Sequence, residues 1–227
     1  LALLRDSLPR ATTGGRKSFL NFQLAKLNAI VGDVDNAASA RASGAAFEEA
    51  IPAQFDTVGY WSDRLPAMRY FANGSIAKAK GDLTVAEGWL RAGKSFTQDI
   101  RWGPDLKQYV YRAQADLSQI LLIQGRIIEA ELEAREGLID AYRSAQFNYP
   151  GYTSEMGMLA TQLSKALFEQ GRFPDAEYAA RLAIRIYGLN CTEPHSLSLL
   201  QARQALLKVL LQKSDVRTLR ELIGTDR

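Results

Sequence analysis

The stretch SQILLIQGRIIEAELEAREG, residues 118–137, decides how this chain folds. It places small residues at Ser118, Gly125, Ala130 and Gly137, at steps of seven, five and seven. The same steps recur three more times. They connect Ala25, Gly32, Ala37 and Gly44, then Gly74, Gly81, Ala86 and Gly93, then Ser164, Gly171, Ala176 and Ala183. A fixed internal period of this kind outranks local propensity in setting a fold. Each unit reads as helix, tight turn, helix. The second small residue is always glycine (Gly32, Gly81, Gly125, Gly171), which adopts a left-handed backbone without a Cβ clash and so ends the first helix. The next residue is polar: Asp33, Asp82, Arg126 or Arg172. The two aspartates are suited to cap or charge the start of the second helix. The other small residues fall where two helices cross, and their size permits an approach of about 8–10 Å. Leu24, Leu117, Leu163 and Leu206 supply apolar bulk beside the crossings.

This pattern resembles the tetratricopeptide repeat (TPR), a helical hairpin with small residues at corresponding places. Gly125-Arg-Ile-Ile-Glu-Ala-Glu131 and Gly171-Arg-Phe-Pro-Asp-Ala-Glu177 are similar to that family's turn. The resemblance covers roughly residues 18–223. The turn glycines stand 49, 44 and 46 residues apart, and Ser214-Asp215 offers a fifth turn 43 after Gly171. These spacings exceed the family's usual period of about 34. They resemble the long-helix repeats of kinesin light chains and of bacterial repeat proteins, and Glu193-Pro-His-Ser196 echoes their His-Pro helix start. The resemblance implies an all-α, right-handed solenoid of four to five helix-turn-helix hairpins. Units are expected near 18–50, 66–98, 106–145, 154–187 and 196–223, the last partial, as Leu207 and Leu219 replace small residues. Residues 18–227 are expected to form one domain. Residues 9–17 read as a loop, and Leu1 to Leu8 as the tail of an earlier helix. With Leu219 to Arg227 stopping short of a full hairpin, the chain reads as a piece cut from a longer protein.

Composition narrows the function classes. The 227 residues are 47% hydrophobic and 23% charged, an ordinary globular balance. No apolar run reaches the length of a membrane span. A net charge of +3, dispersed along the chain, is too small to argue for nucleic acid. Cys191 is the one cysteine, which excludes an internal disulfide and leaves the compartment open between cytoplasm and periplasm. Cys191 and His195 form no nucleophile–base pair with an orienting third group. One Cys and one His do not fill a zinc shell. Gly14-Gly15-Arg-Lys-Ser18 lacks the upstream glycine of a phosphate loop and reads as a flexible linker. Glu129, Glu131, Glu133 and Glu136 read as a solvated face. Arg91, Arg135 and Arg181 each stand ten residues after a turn glycine, a recurrence that points to a structural role. No catalytic residue, metal or cofactor is expected.

The family resemblance also implies where recognition occurs. First helices line a concave groove, and its facing positions fall on Phe22 and Lys26, then on Met68, Phe71, Ser75 and Lys78. They continue with Arg112 and Gln119, then Thr161, Lys165 and Phe168, then Gln204 and Lys208. Cations beside phenylalanines suit an extended peptide with acidic and apolar side chains, or a C-terminal carboxylate. The asparagine-rich carboxylate clamp of chaperone-tail-binding repeats is missing. Tyr60, Trp61, Trp102, Tyr149 and Tyr152 mark the loop edge, as anchors or as a second ligand patch. The reading is a non-enzymatic interaction scaffold, the regulatory portion of a larger protein, whose partner is a peptide or another domain of the same polypeptide. Signal-peptide or small-ligand sensing and self-assembly into a homo-oligomer are the rival readings.

Overall fold

The computed structural model describes residues 1–11, 13–51, 60–98, 104–148, 153–190 and 196–213. Among these, every regular element is α-helical: α1 Ala2–Ser7, α2 Gly14–Ile30, α3 Val34–Glu49, α4 Tyr60–Lys80, α5 Leu83–Gln98, α6 Pro104–Ile123, α7 Ile127–Asn148, α8 Ser154–Glu169, α9 Phe173–Leu189 and α10 Leu197–Gln212. The chain is organised as two compact units, Leu1–Trp102 and Gly103–Arg227. In the first, α2 packs with α3, α4 with α5, and α2 with α4. In the second, α6 pairs with α7 and α8 with α9, while α8 also packs against both α6 and α10.

The four turns share one hydrogen-bond scheme. In each the glycine has φ between +74° and +85°. Asp33 N donates to Asn28 O and Gly32 N to Ala29 O; Asp82, Arg126 and Arg172, with their preceding glycines, repeat both bonds. This is the Schellman closure, which satisfies carbonyls that the helix end leaves open. A Cβ at any of the four glycines would meet nothing within 4 Å. Backbone conformation alone therefore demands glycine there.

The remaining small residues act by letting neighbours in. Ala25, Ala37, Ala86, Ala130, Ala176 and Ala183 are fully buried. A Cβ on Gly44 would lie 2.9 Å from the Phe22 ring, and one on Gly93 would lie 2.6 Å from that of Phe71. In both hairpins the fourth small residue thus receives a phenylalanine from the first helix. In the second unit the first small residue is serine, and its hydroxyl pins the hairpin. Ser118 Oγ donates to Ala130 O at 2.8 Å and Ser164 Oγ to Ala176 O at 2.7 Å.

Two expectations change. Residues 14–18 belong to α2, which Thr13 caps by accepting from Arg16 N. A Cβ at Gly15 would lie 2.6 Å from the Trp61 ring, and Ser18 Oγ is buried and donates to Gly44 O at 2.7 Å. This stretch is a packed helix start, where close approach requires glycine, and not a linker. The connection expected over 51–65 is shorter, since α4 begins at Tyr60 and carries Pro66 within it. Trp61 accordingly stands in a helix, with its ring centroid 6.3 Å from that of Phe19. Trp102, Tyr149, Tyr152, Cys191, His195 and the fifth turn at Ser214-Asp215 lie outside the described residues.

The outward face of each second helix is set by its distance from the turn glycine. Three, seven and fourteen residues on, α3 exposes Asp35, Ser39 and Ala46, and α5 exposes Thr84, Gly88 and Ser95. At the same steps α9 exposes Pro174, Tyr178 and Arg185, whereas α7 exposes Ile128, Leu132 and Ile139.

Candidate functional site

The residues singled out from the sequence divide by burial. In the first unit Phe22, Lys26, Met68, Phe71 and Ser75 are buried, and Lys78 is half-buried. Phe22 and Phe71 fill the space over Gly44 and Gly93, so they hold hairpins together and offer no ring to a ligand in this arrangement. The glycines opposite draw both rings inward.

In the second unit the first helices α6, α8 and α10 form one layer, with α8 in the middle. Thr161 is buried, its hydroxyl donating to Gly157 O at 2.8 Å. Arg112, Gln119, Lys165 and Phe168 are half-buried, and Gln204 and Lys208 are exposed. Phe168 leans on Phe173 across the turn, with centroids 5.5 Å apart. This layer keeps accessible polar and cationic groups on three successive first helices.

The same region holds buried polar atoms, on Arg112, which the sequence singled out, and on Gln162 and Tyr187, which it did not. Arg112 Nε and Gln162 Oε1 are buried and make no hydrogen bond. A buried polar atom left unsatisfied is costly and rare in a folded protein. Tyr187 is fully buried on α9 above Gly157, whose added Cβ would lie 2.6 Å from the phenol carbon Cζ. Its hydroxyl meets no well-placed partner. Burial pushes the phenol up to about 12, against the opposing pull of the nearby Ser198 and Thr161 hydroxyls. No sequence pattern marks Gln162 or Tyr187, because only the packing of α8 against α9 and α10 takes them out of water.

Carboxylates tie successive hairpins of this unit together. Glu131 on α7 accepts from Arg135 at 2.5 Å, from Gln170 at 2.7 Å and from Arg172 at 3.1 Å. Gln170 and Arg172 flank the turn glycine of the following hairpin. Glu177 on α9 accepts from Arg181 at 2.8 Å and from Lys213, at the end of α10, at 2.6 Å. Desolvation raises the Glu131 carboxyl, but the Arg135 and Gln170 hydrogen bonds and the charges of Arg135 and Arg172 hold it below its ordinary value. The Lys213 hydrogen bond does most to lower Glu177, with Arg181 adding to it against desolvation. The recurrent arginines are thereby explained: Arg91, Arg135 and Arg181 each pair with a glutamate four residues earlier, Glu87, Glu131 and Glu177.

Among the described residues no group of three or more His, Cys, Asp or Glu side chains is placed to hold a metal ion. No helix among them is long and apolar enough to cross a membrane.

The fold so assembled is that of TPR-like repeat proteins, all-α and built from helical hairpins. Among solved structures the chain is similar to BtubC (BKLC) from P. vanneervenii, with a TM-score of 0.67 and 13% identity over 93% of this chain and 79% of that one. It is also similar to the "kinesin light chain nearly identical TPR-like repeats" of Podosopora anserina, with a TM-score of 0.58 and 13% identity over 94% of each chain. A variant of that protein gives a TM-score of 0.59 and 15% identity over 90% of each chain. No protein-family profile and no curated protein sequence matches the chain.

Proposed function

We propose that this chain is a non-catalytic protein-interaction scaffold that binds peptide segments along its first helices. The observation that carries this reading is the α6–α8–α10 layer of the second unit. Three first helices stand side by side there and leave Arg112, Gln119, Lys165, Gln204 and Lys208 partly or fully accessible. The ligand fitting this layer is an extended peptide with acidic and apolar side chains or a free C-terminal carboxylate, in cis from the same polypeptide or from another protein. Cations would steer its approach, and Phe168 would supply apolar contact. In the first unit the corresponding surface is confined to Lys78 and its surroundings, since the neighbouring candidates are buried.

The test is a screen of acidic and C-terminal peptides by fluorescence anisotropy, with Lys165→Glu/Lys208→Glu as the matched variant. The expected outcome is a set of acidic peptides that bind the parent chain and weaken at least tenfold with the variant. Binding unchanged in the variant would remove the second-unit layer as the site.

A further inference from the structure

Among the described second helices α7 exposes the longest row of large apolar side chains, where α5 exposes Val85 and Trp89 and α9 exposes Tyr178. Ile128 and Leu132 are 60% and 59% exposed, and Ile139 and Tyr142 are 44% and 47% exposed. They fall at steps of four, seven and three, which places them on one seam of an α-helix, interrupted within the seven-residue step by exposed Arg135, which pairs with Glu131. The corresponding positions of α3, α5 and α9 are small or polar, apart from Tyr178. The seam is therefore no requirement of the hairpin. Large aliphatic side chains gathered in water mark an interaction surface.

The flanks of the seam identify what fits it. On one side runs an acidic row, Glu129, Glu133, Glu136 and Asp140, at steps of four, three and four; Glu129 is paired with Arg126 and Asp140 with Arg143, so a partner's cations would have to exchange with these surface pairs. The other side is closed by the hairpin packing, since Glu131 is held by Gln170 and Arg172 from the next turn. Leu138 there packs into the α6–α8–α9 core. We infer that α7 docks an amphipathic helix of another polypeptide that carries an apolar seam flanked by lysine or arginine. Helix-on-helix docking of this kind is read through apolar residues every three or four positions, with flanking charges choosing the partner. A second copy of this chain fits poorly. Antiparallel pairing of two α7 helices sets like flanks against each other, which brings acidic row against acidic row. Parallel pairing drives one acidic row into the flank already closed. A single-helix face also falls short of the roughly 800 Å² per partner that stable dimers bury. This surface lies on a second helix, so it stands apart from the first-helix layer, and either can fail without the other.

The experiment uses the whole chain and two helical probe peptides of about three heptads, each with a Leu/Ile seam. One has lysine flanks and the other glutamate flanks. Binding is read by fluorescence anisotropy at two salt concentrations. The lysine-flanked probe is expected to bind, more tightly at low salt, and the glutamate-flanked probe at least tenfold more weakly. Leu132→Ser/Ile139→Ser, at exposed positions, should retain the parental circular dichroism and melting curve yet lose binding tenfold or more. Glu136→Lys/Asp140→Lys should reverse the preference between the probes. Failure of both probes to bind, equal binding to the serine variant, or preference unchanged by charge reversal would overturn the inference. So would a dimer of the parent chain that the serine variant dissociates, seen by sedimentation, because the seam would then serve a second copy. A loss of acidic-peptide binding in Lys165→Glu/Lys208→Glu that leaves the lysine-flanked probe unaffected would keep the two surfaces distinct.

Discussion

Replacement of Gly171 by alanine is the sharpest test of the turn argument. Gly171 has φ +74° and open space around the position a Cβ would take. No packing term enters, so the cost is conformational only. An L-residue forced into the left-handed region costs roughly 1–2 kcal/mol. The restricted unfolded chain returns about 0.4–1 kcal/mol. The net loss is about 1 kcal/mol, or about 2–4 °C of melting temperature for a chain of this size. D-alanine introduced at the same position by ligation adopts positive φ freely and keeps the unfolded-state gain, so it should stabilise by several tenths of a kcal/mol. Gly93→Ala forms the contrast, since its Cβ lies 2.6 Å from Phe71 Cε1 inside the first unit. Overpacking of about 1–3 kcal/mol outweighs there the roughly 1 kcal/mol that alanine gains in helix propensity. D-alanine at Gly93 turns its methyl away from Phe71 but is disfavoured within a right-handed helix, so it too should destabilise. Urea titration followed by circular dichroism measures all four variants, with the m-value checked because repeat proteins depart from two-state unfolding. Equal losses for L- and D-alanine at Gly171 would refute the claim that backbone handedness alone selects glycine in the turns.

The carboxylate ties predict an acid dependence and a substitution effect. Glu131 and Glu177 have folded-state values below the ordinary 4.5. Their contribution is therefore fully present above that value and is lost as pH falls through the lowered folded values. Glu131→Gln should cost about 1 kcal/mol at pH 7, the cations it faces being partly exposed. Urea midpoints of parent and variant should converge as pH falls from 4.5 through the lowered folded value, and a gap that stays constant down to acid unfolding would count against the tie. Tyr187 makes the opposite prediction at high pH. Its folded-state value is raised from 10.0 to about 12, so its contribution is full below 10 and is lost as pH rises from 10 toward 12. Tyr187→Phe removes a buried hydroxyl without a well-placed partner and should be close to neutral at pH 7 while flattening the alkaline loss. Phenolate absorbance should show one tyrosine fewer among those titrating latest, and an unchanged late phase would contradict the assignment.

Much of the fold could be read along the chain because its information is local. Gly32, Gly81, Gly125 and Gly171 mark helix ends through their own backbone, and all four turns stand where the spacing put them. Helices α3, α5, α7 and α9 each begin two residues after a turn glycine, and α8 begins at Ser154, where its unit was expected. Along the chain Pro52, Gly59 and Trp61 read as a connection that ends before a helix start at Pro66, whereas packing of Trp61 over Gly15 makes a helix worthwhile from Tyr60 despite the proline. Gly14 and Gly15 were misread as linker for the related reason that their partners are distant in sequence.

The candidate surfaces show the same division. The family resemblance assigned Phe22, Phe71 and Lys165 to groove positions of first helices, but whether such a residue faces solvent or a neighbour depends on what stands opposite it. Gly44 and Gly93 make room for the two rings, and burial follows. The four glutamates of α7 likewise divide by their neighbours: Glu131 is buried among Arg135, Gln170 and Arg172, while Glu129 and Glu136 stay on the surface. Sequence by itself determined where this chain turns and which helices pair, since left-handed glycines and helical period act over a few residues. Only the tertiary structure decided which side chains remain available to a partner, because exposure is a property of the residues brought alongside.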